Sequence, residues 1–375
     1  MPRTIGVLAL LALAVTTNAA DYFVYTGTLN SRTGKGIYVY RFEGSTGKLS
    51  KIGQAADSLN PSFLAVHPNN RYLYSVNNNP GPPDNVVSAF SIDRKSGMLT
   101  LLNKVPPGGF GQSHLGLDNT GKWLAEANYG SGSVAVLPVL PDGKLGQPTA
   151  FDQQTDPTPR PDSPRPTRAH AVEFSADNRY LLVANVGLER IYVYRFSATN
   201  GTLAPNDPPS TKTEPGSGPR HLALHRKGNV LYALNERVAT VTAFRYDPSS
   251  GALTQFQNVS ALPEGFTARN SGAEIFLDKK GRFLYTSNRG HDSIAIFSID
   301  PATYNLKLVE NVSTEGRTPR NFAFDPSGAY LIAGNEASDS LVVFRVDSRT
   351  GHLTRTGDIL TGAPGPTSIV FVPVK

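Results

Sequence analysis

The densest chemistry in the chain lies in Gly216–Glu236, GSGPRHLALHRKGNVLYALNE. Two apolar runs, Leu222 and Leu224, then Val230, Leu231, Tyr232 and Leu234, flank a turn at Lys227, Gly228 and Asn229. That pattern predicts an antiparallel hairpin. A hairpin sets the start of its first strand beside the end of its second. Arg220 and His221 are therefore expected next to Asn235 and Glu236. A guanidinium, an imidazole, an amide and a carboxylate together can bind an anion and move a proton.

This hairpin repeats along the chain. Its second strand ends at Tyr25-Thr26-Gly27 in the first unit, then at Asn77, Asn128, Asn185, Asn235, Asn288 and Asn335. An aromatic-rich strand follows each time, from IYVYRF at Ile37 to LVVFRV at Leu341. A turn and a leucine come next: Leu49, Leu99, Leu145, Leu203, Leu253, Leu306 and Leu353. Each marker recurs seven times at a spacing of about fifty residues, the signature of a repeat architecture. Each unit holds four short runs of period-two alternation, and four-stranded units around a channel make a β-propeller. The first unit begins at Asp21 with a second-type strand, and the chain ends on an unpaired first-type strand, Thr367–Val374. The expected fold is therefore an all-β, seven-bladed propeller over residues 21–375, with four antiparallel strands per blade. Its ring is closed by the C-terminal strand joining the N-terminal blade, which removes the edges an open array must protect.

In such a ring the first strands line the channel and their starts share one mouth. His170, Arg220, Glu236 and Arg289 are expected there as the catalytic group, with His114, His221, Glu274 and Arg320 as substrate contacts. Arg220 and Arg289 could hold a carboxylate or phosphate in fork geometry, or stabilise an oxyanion. His170 is the natural base for a water, since imidazole titrates near neutrality. Glu236 could orient that base or take the proton itself. Such a set supports acyl or lactone chemistry on an anionic substrate. The competing structural reading is a ring of interblade ion pairs without catalysis. The repeated asparagines read as caps on the turn after each second strand.

Composition narrows the chemistry. The 375 residues include no cysteine, which excludes thiolate metal sites, disulfides and cysteine nucleophiles. No G-x-S-x-G elbow, H-E-x-x-H or calcium-loop spacing occurs, so no metal or cofactor is expected. The net charge of +6 comes without a basic run interleaved with aromatics. It fits a small anionic partner, not nucleic acid. Residues 1–20 read as a signal peptide: Arg3, an apolar stretch Ile5–Val15, then Asn18-Ala19-Ala20. The stretch is too short to span a bilayer, so export to a periplasm or beyond is expected, with no membrane association after removal. An uncleaved anchor is the alternative. Asn78–Asn85 and Asp156–Pro166 read as connectors, the second carrying Arg160 and Arg165 towards His170.

NYGSGSV at Asn128, GSGPRHLA at Gly216, LNE at Leu234, SGAEIFL at Ser271, LYTSNRGHDSIAIF at Leu284 and GRTPRNFAFDPSG at Gly316 carry a resemblance. Together they resemble the lactonase family of seven-bladed β-propellers, which includes the propeller type of 6-phosphogluconolactonase and the fungal carboxy-muconate cycloisomerase. The resemblance covers essentially all of Tyr22–Val374. It implies active-site roles for His170, Arg220, Glu236 and Arg289, the four that strand geometry selects. Relatives often carry a second histidine two residues before His170, where this chain has Arg168. Three functions stay open: a lactonase on a sugar-derived or anionic lactone, a cycloisomerase using the same residues, and an exported propeller that binds a ligand or partner protein. Export sits poorly with a cytoplasmic phosphogluconate step and favours another sugar lactone or small acid.

Overall fold

The computed structural model describes residues 20–29, 35–79, 85–156, 166–225, 227 and 229–375. The signal-peptide reading of residues 1–20 falls almost wholly outside these residues. So do the interiors of both connectors, Arg160 and Arg165 included.

Seven antiparallel sheets form the ring. Counting from the channel outward, blade five is built from Pro219–His225, Val230–Asn235, Thr240–Tyr246 and Leu253–Ser260. Blades two, four and six follow the same order, and blade seven splits its outer strand into Leu353–Arg355 and Leu360–Thr361. Blade one takes its inner strand from the other end of the chain: Pro366–Pro373 pairs antiparallel with Tyr22–Thr28. The ring therefore closes as expected. Deleting Pro366–Lys375 would expose the Tyr22–Thr28 edge and strip out Ile369 and Val372, both buried. Each such side chain contributes roughly 1.5–3 kcal/mol. The expected result is loss of a cooperative melting transition by circular dichroism; a native-like melt would mean that the N-terminal strand needs no partner.

Alternation in each strand sends one set of side chains to each neighbouring blade, giving seven interblade apolar clusters, one per interface. Buried tyrosines stitch blade to blade. Tyr25, Tyr74 and Tyr285 donate their hydroxyls to the carbonyls of Gly97, Gly143 and Gly351 in the next blade's outer turn. Those turns need glycine, since Gly97 and Gly351 have φ of 78° and 81°. The marker leucines open the outer strands, pairing as Leu49↔Phe42 and Leu253↔Tyr246. Blade three departs from this. Leu145 makes only an isolated bridge to Val139, and the outer strand is Ala150–Gln153.

The repeated asparagines brace the loops of this face. Asn185 Oδ1 accepts from the backbone N–H groups of Arg168 and Leu188, and Asn235 Nδ2 donates to Thr240 and Thr242. All are fully buried.

Candidate active site

The hairpin of blade five has the predicted polarity, with Pro219 opposite Asn235. Simple alternation then breaks down. His221, not Arg220, is opposite Leu234, so Arg220 is an extra residue bulged out of the ladder. The same shift occurs in every blade: between Pro61 and Phe63, Gln112 and His114, Ala169 and Ala171, Gly272 and Ile275, Pro319 and Asn321, and at Thr367 in blade one. A bulge re-aims a side chain, so two consecutive residues can both face the channel. The result is two tiers. The bulge residues His170, Arg220 and Arg320 lie at the mouth. The residues that follow the bulge, Phe63, His114, His221 and Asn321, line the channel one level down. In blade six Glu274 belongs to this lower tier.

At the mouth, Arg289 Nη2 donates to Glu236 Oε1 at 2.6 Å and to the Gly272 carbonyl at 2.9 Å. Arg220 Nε lies 3.9 Å from the same Glu236 oxygen, and its Nη1 donates to the carbonyl of Ala273 in the next blade. Arg320 Nη1 reaches Glu336 Oε2 at 3.5 Å. Arg168 closes the blade-four side, donating to the Tyr129 hydroxyl at 2.7 Å with its guanidinium 4.9 Å from the Tyr129 ring centre. The Tyr129 ring in turn lies edge-on to His170, centroids 5.6 Å apart. Four guanidiniums thus face two carboxylates, an excess of positive charge that attracts an anion.

The environment tunes each group. Burial, then the charge of Arg289, lowers Arg220 to about 9, so it remains a cation at neutral pH. Burial, then Arg220, holds His170 well below the usual imidazole range, so it is neutral. Burial alone would raise Glu236, but Arg220 and Arg289 outweigh it and keep the carboxyl below its ordinary value.

In the lower tier His221 Nδ1 lies 2.6 Å from Glu274 Oε1, and each residue is 3% exposed. Asn321 Nδ2 donates to Glu274 Oε2, and the Ile275 N–H donates to Oε1. Phe63 of blade two packs on His114 of blade three, centroids 4.1 Å apart, and reaches His221 across the channel at 5.8 Å. These rings form a partition. Beneath it is a cavity of about 280 Å³ lined by the later halves of the inner strands, among them Phe174, Leu222, Phe276 and Ile369. Of the eight residues predicted for one mouth, His170, Arg220, Glu236, Arg289 and Arg320 therefore gather there. His114, His221 and Glu274 do not; they sit in the partition below. Asn321, which holds Glu274, was missed by sequence reasoning. Its only signal is a second polar residue directly after Arg320.

Among the described residues, no group of three or more His, Cys, Asp or Glu side chains is placed to hold a metal ion. No helix among them is long and apolar enough to cross a membrane.

Fold and mouth define a seven-bladed propeller with four arginines, two glutamates and a buried imidazole gathered at one end of its channel. The chain belongs to the lactonase family of seven-bladed β-propellers, whose model matches residues 23–371. The 6-phosphogluconolactonase of Bacillus subtilis strain 168 is 36% identical over 304 residues, covering 81% of this chain and 85% of that protein. The 6-phosphogluconolactonase of Formosa agariphila is 34% identical over 299 residues, 79% of this chain and 84% of that one. The solved structure of the Pseudomonas aeruginosa periplasmic gluconolactonase superimposes with a TM-score of 0.87 at 33% identity, over 95% of this chain and all of that one.

Proposed function

We propose that this protein hydrolyses a sugar-derived lactone, using side chains alone, with His170 as the base and Arg220 and Arg289 around the carbonyl. The observation that carries the reading is the Glu236-centred arginine pair beside a neutral, buried imidazole. The names of its relatives, gluconolactonase and 6-phosphogluconolactonase, supply the substrate class. Arg220 and Arg289 polarise the lactone carbonyl and stabilise the oxyanion that forms on attack. His170 Nδ1 is sealed from solvent, leaving Nε2 to meet a water and take its proton. Glu236, ion-paired to Arg289 and held acidic, is a poor base; it fixes the guanidiniums. The tetrahedral adduct collapses, the ring C–O bond breaks, and the departing oxygen takes a proton to give the hydroxy acid. Arg168 and Arg320 are placed to favour a substrate that carries its own negative charge. We also read residues 1–20 as an export signal, in keeping with the periplasmic relative.

Proton release from δ-gluconolactone and its 6-phosphate, above the spontaneous rate, is the direct test. The expected result is turnover on at least one, with Glu236→Gln reducing kcat by about 10-fold to 100-fold. No turnover on either, or full activity in Glu236→Gln, would count against this assignment.

A further inference from the structure

Blade seven carries a second arginine–glutamate pair at the mouth, and hydrolysis as described gives its carboxylate no task. Both pairs come from one cassette: Pro219-Arg220 and Asn235-Glu236 recur as Pro319-Arg320 and Asn335-Glu336. The registers match as well. Pro219 is opposite Asn235, Pro319 is opposite Asn335, and the ladder shifts at the arginine in both. Hairpin and bulge set Arg320 beside Glu336 for the same reason that they set Arg220 beside Glu236. Blade seven holds this geometry at a cost. The Glu236 N–H donates to the carbonyl of Gly218, and the Glu336 N–H to that of Thr318. Gly218 has a φ of 66°, which glycine adopts freely. Thr318 has a φ of 60°, where a β-branched residue is strained. Asp292 of blade six steadies it, accepting from the Thr318 N–H at 2.8 Å. A strained backbone bonded directly to the residue that carries a carboxylate points to a use for that carboxylate.

The two pairs differ in what is left over. In blade five, Glu236 is taken up by Arg289 at 2.6 Å, and Arg220 is bonded to the Ala273 carbonyl with its side chain 3% exposed. In blade seven, Arg320 Nη1 meets Glu336 Oε2 at a long 3.5 Å, and each side chain is 23% exposed. Among the described residues no other side-chain hydrogen bond holds either of them. The pair borders the catalytic group, since Glu336 acts on the charge of Arg289 and Arg320 on that of His170. A carboxylate with free lone pairs can accept from two neighbouring hydroxyls at once. A lactone ring that carries hydroxyls offers those donors, and a bare lactone ring offers none.

We propose that Glu336, oriented by Arg320, is a specificity residue that accepts hydrogen bonds from the hydroxyls of a sugar lactone held in the mouth. This rests on the lactonase reading above. Glu336 binds substrate and takes no part in the proton transfers. It selects polyhydroxylated lactones over unsubstituted ones, because a site built to bond a hydroxyl is left with an unpaired group when the hydroxyl is missing. Glu236 cannot serve in its place, being already committed to Arg289.

The test compares the native protein with Glu336→Gln on δ-gluconolactone or its 6-phosphate, whichever is turned over, and on δ-valerolactone, the same ring without hydroxyls. Glu336→Gln should raise KM for the sugar lactone by about 10-fold to 100-fold and leave its kcat within about threefold, as expected when a contact is made equally in the ground and transition states. The preference for the sugar lactone over δ-valerolactone, as a ratio of kcat/KM values, should fall by about the same factor. A native KM in Glu336→Gln, a loss carried by kcat, or equal losses on both lactones would overturn the role. Turnover of neither sugar lactone by the native protein removes the lactonase reading and this role with it; turnover with a native KM in the variant removes the role alone. Should Glu336→Gln fail to fold, crystals of the native protein soaked in D-gluconate decide instead. A Glu336 oxygen within about 3.2 Å of a gluconate hydroxyl supports the role, and any other result refutes it.

Discussion

Replacing Arg220 by alanine is expected to lower kcat/KM for lactone hydrolysis by about a thousandfold while leaving the melting temperature unchanged or raised. The two effects separate because Arg220 is costly to the fold. Its side chain is 3% exposed, its Nε has no hydrogen-bond partner, and Arg289 and Arg320 add like charge nearby. Glu236 is bonded at 2.6 Å to Arg289, so removing Arg220 leaves no carboxylate unpaired. Burying a cation among cations destabilises the empty site, and an oxyanion offsets that only in the transition state. Lysine should not rescue, because it lacks the planar fork and would lose the bond to the Ala273 carbonyl. Removing the charge should also let His170 titrate closer to its usual range, moving the acid limb of kcat/KM upward. A variant that loses activity and melting temperature together would instead make Arg220 a structural tie between blades five and six.

The ring itself was legible because its signals are redundant. Seven aromatic strands, seven turn leucines and an unpaired strand at each end leave little choice of topology, and Tyr22–Thr28 pairs with Pro366–Pro373 accordingly. The mouth was legible in part. Hairpin polarity alone sets Arg220 and Glu236 at one end, and neighbouring blades bring in Arg289 and His170. The division into tiers was not legible, because period-two alternation sends Arg220 and His221 to opposite faces of the sheet. The bulge sends both inward, and nothing local in Pro219-Arg220-His221 specifies it. Its trace is visible only across blades, as a pair of adjacent polar residues where alternation calls for one: Ser113-His114, Arg220-His221 and Arg320-Asn321. Aligning the repeats on the bulge, and not on the strand ends, would have separated the mouth residues from those in the partition. Arg168 shows a different limit. Its place two residues before His170 is plain in the sequence, but its partner, Tyr129, comes from the preceding blade.

Glu126 is expected to make the stability of the fold strongly dependent on pH. It stands in KWLAEAN where the matching positions of other blades carry Ser75, Val183, Ala233, Thr286 and Ala333. Its cross-strand neighbours Leu115 and Ala135 belong to the apolar cluster between blades two and three. The side chain is fully buried, with Oε1 accepting from Asn128 Nδ2 at 2.7 Å and Oε2 without a partner. Burial pushes this carboxyl up to about 8 from an ordinary 4.5. The folded state therefore holds the proton more tightly than the unfolded chain. Its contribution is complete below pH 4.5 and is lost as pH rises towards 8, a swing of roughly 4–5 kcal/mol. Glu126→Gln keeps the shape and removes the titration. Urea unfolding should give nearly equal stabilities for the two proteins at about pH 4.5, and an advantage for glutamine that grows to several kcal/mol by about pH 8.5. Glu274, also raised, tilts the native protein in the same direction, so the difference between the two proteins is the quantity that isolates Glu126. A difference that stays constant with pH would mean the carboxylate is ionised in the fold and paired in a way that burial and hydrogen bonding at this site do not provide.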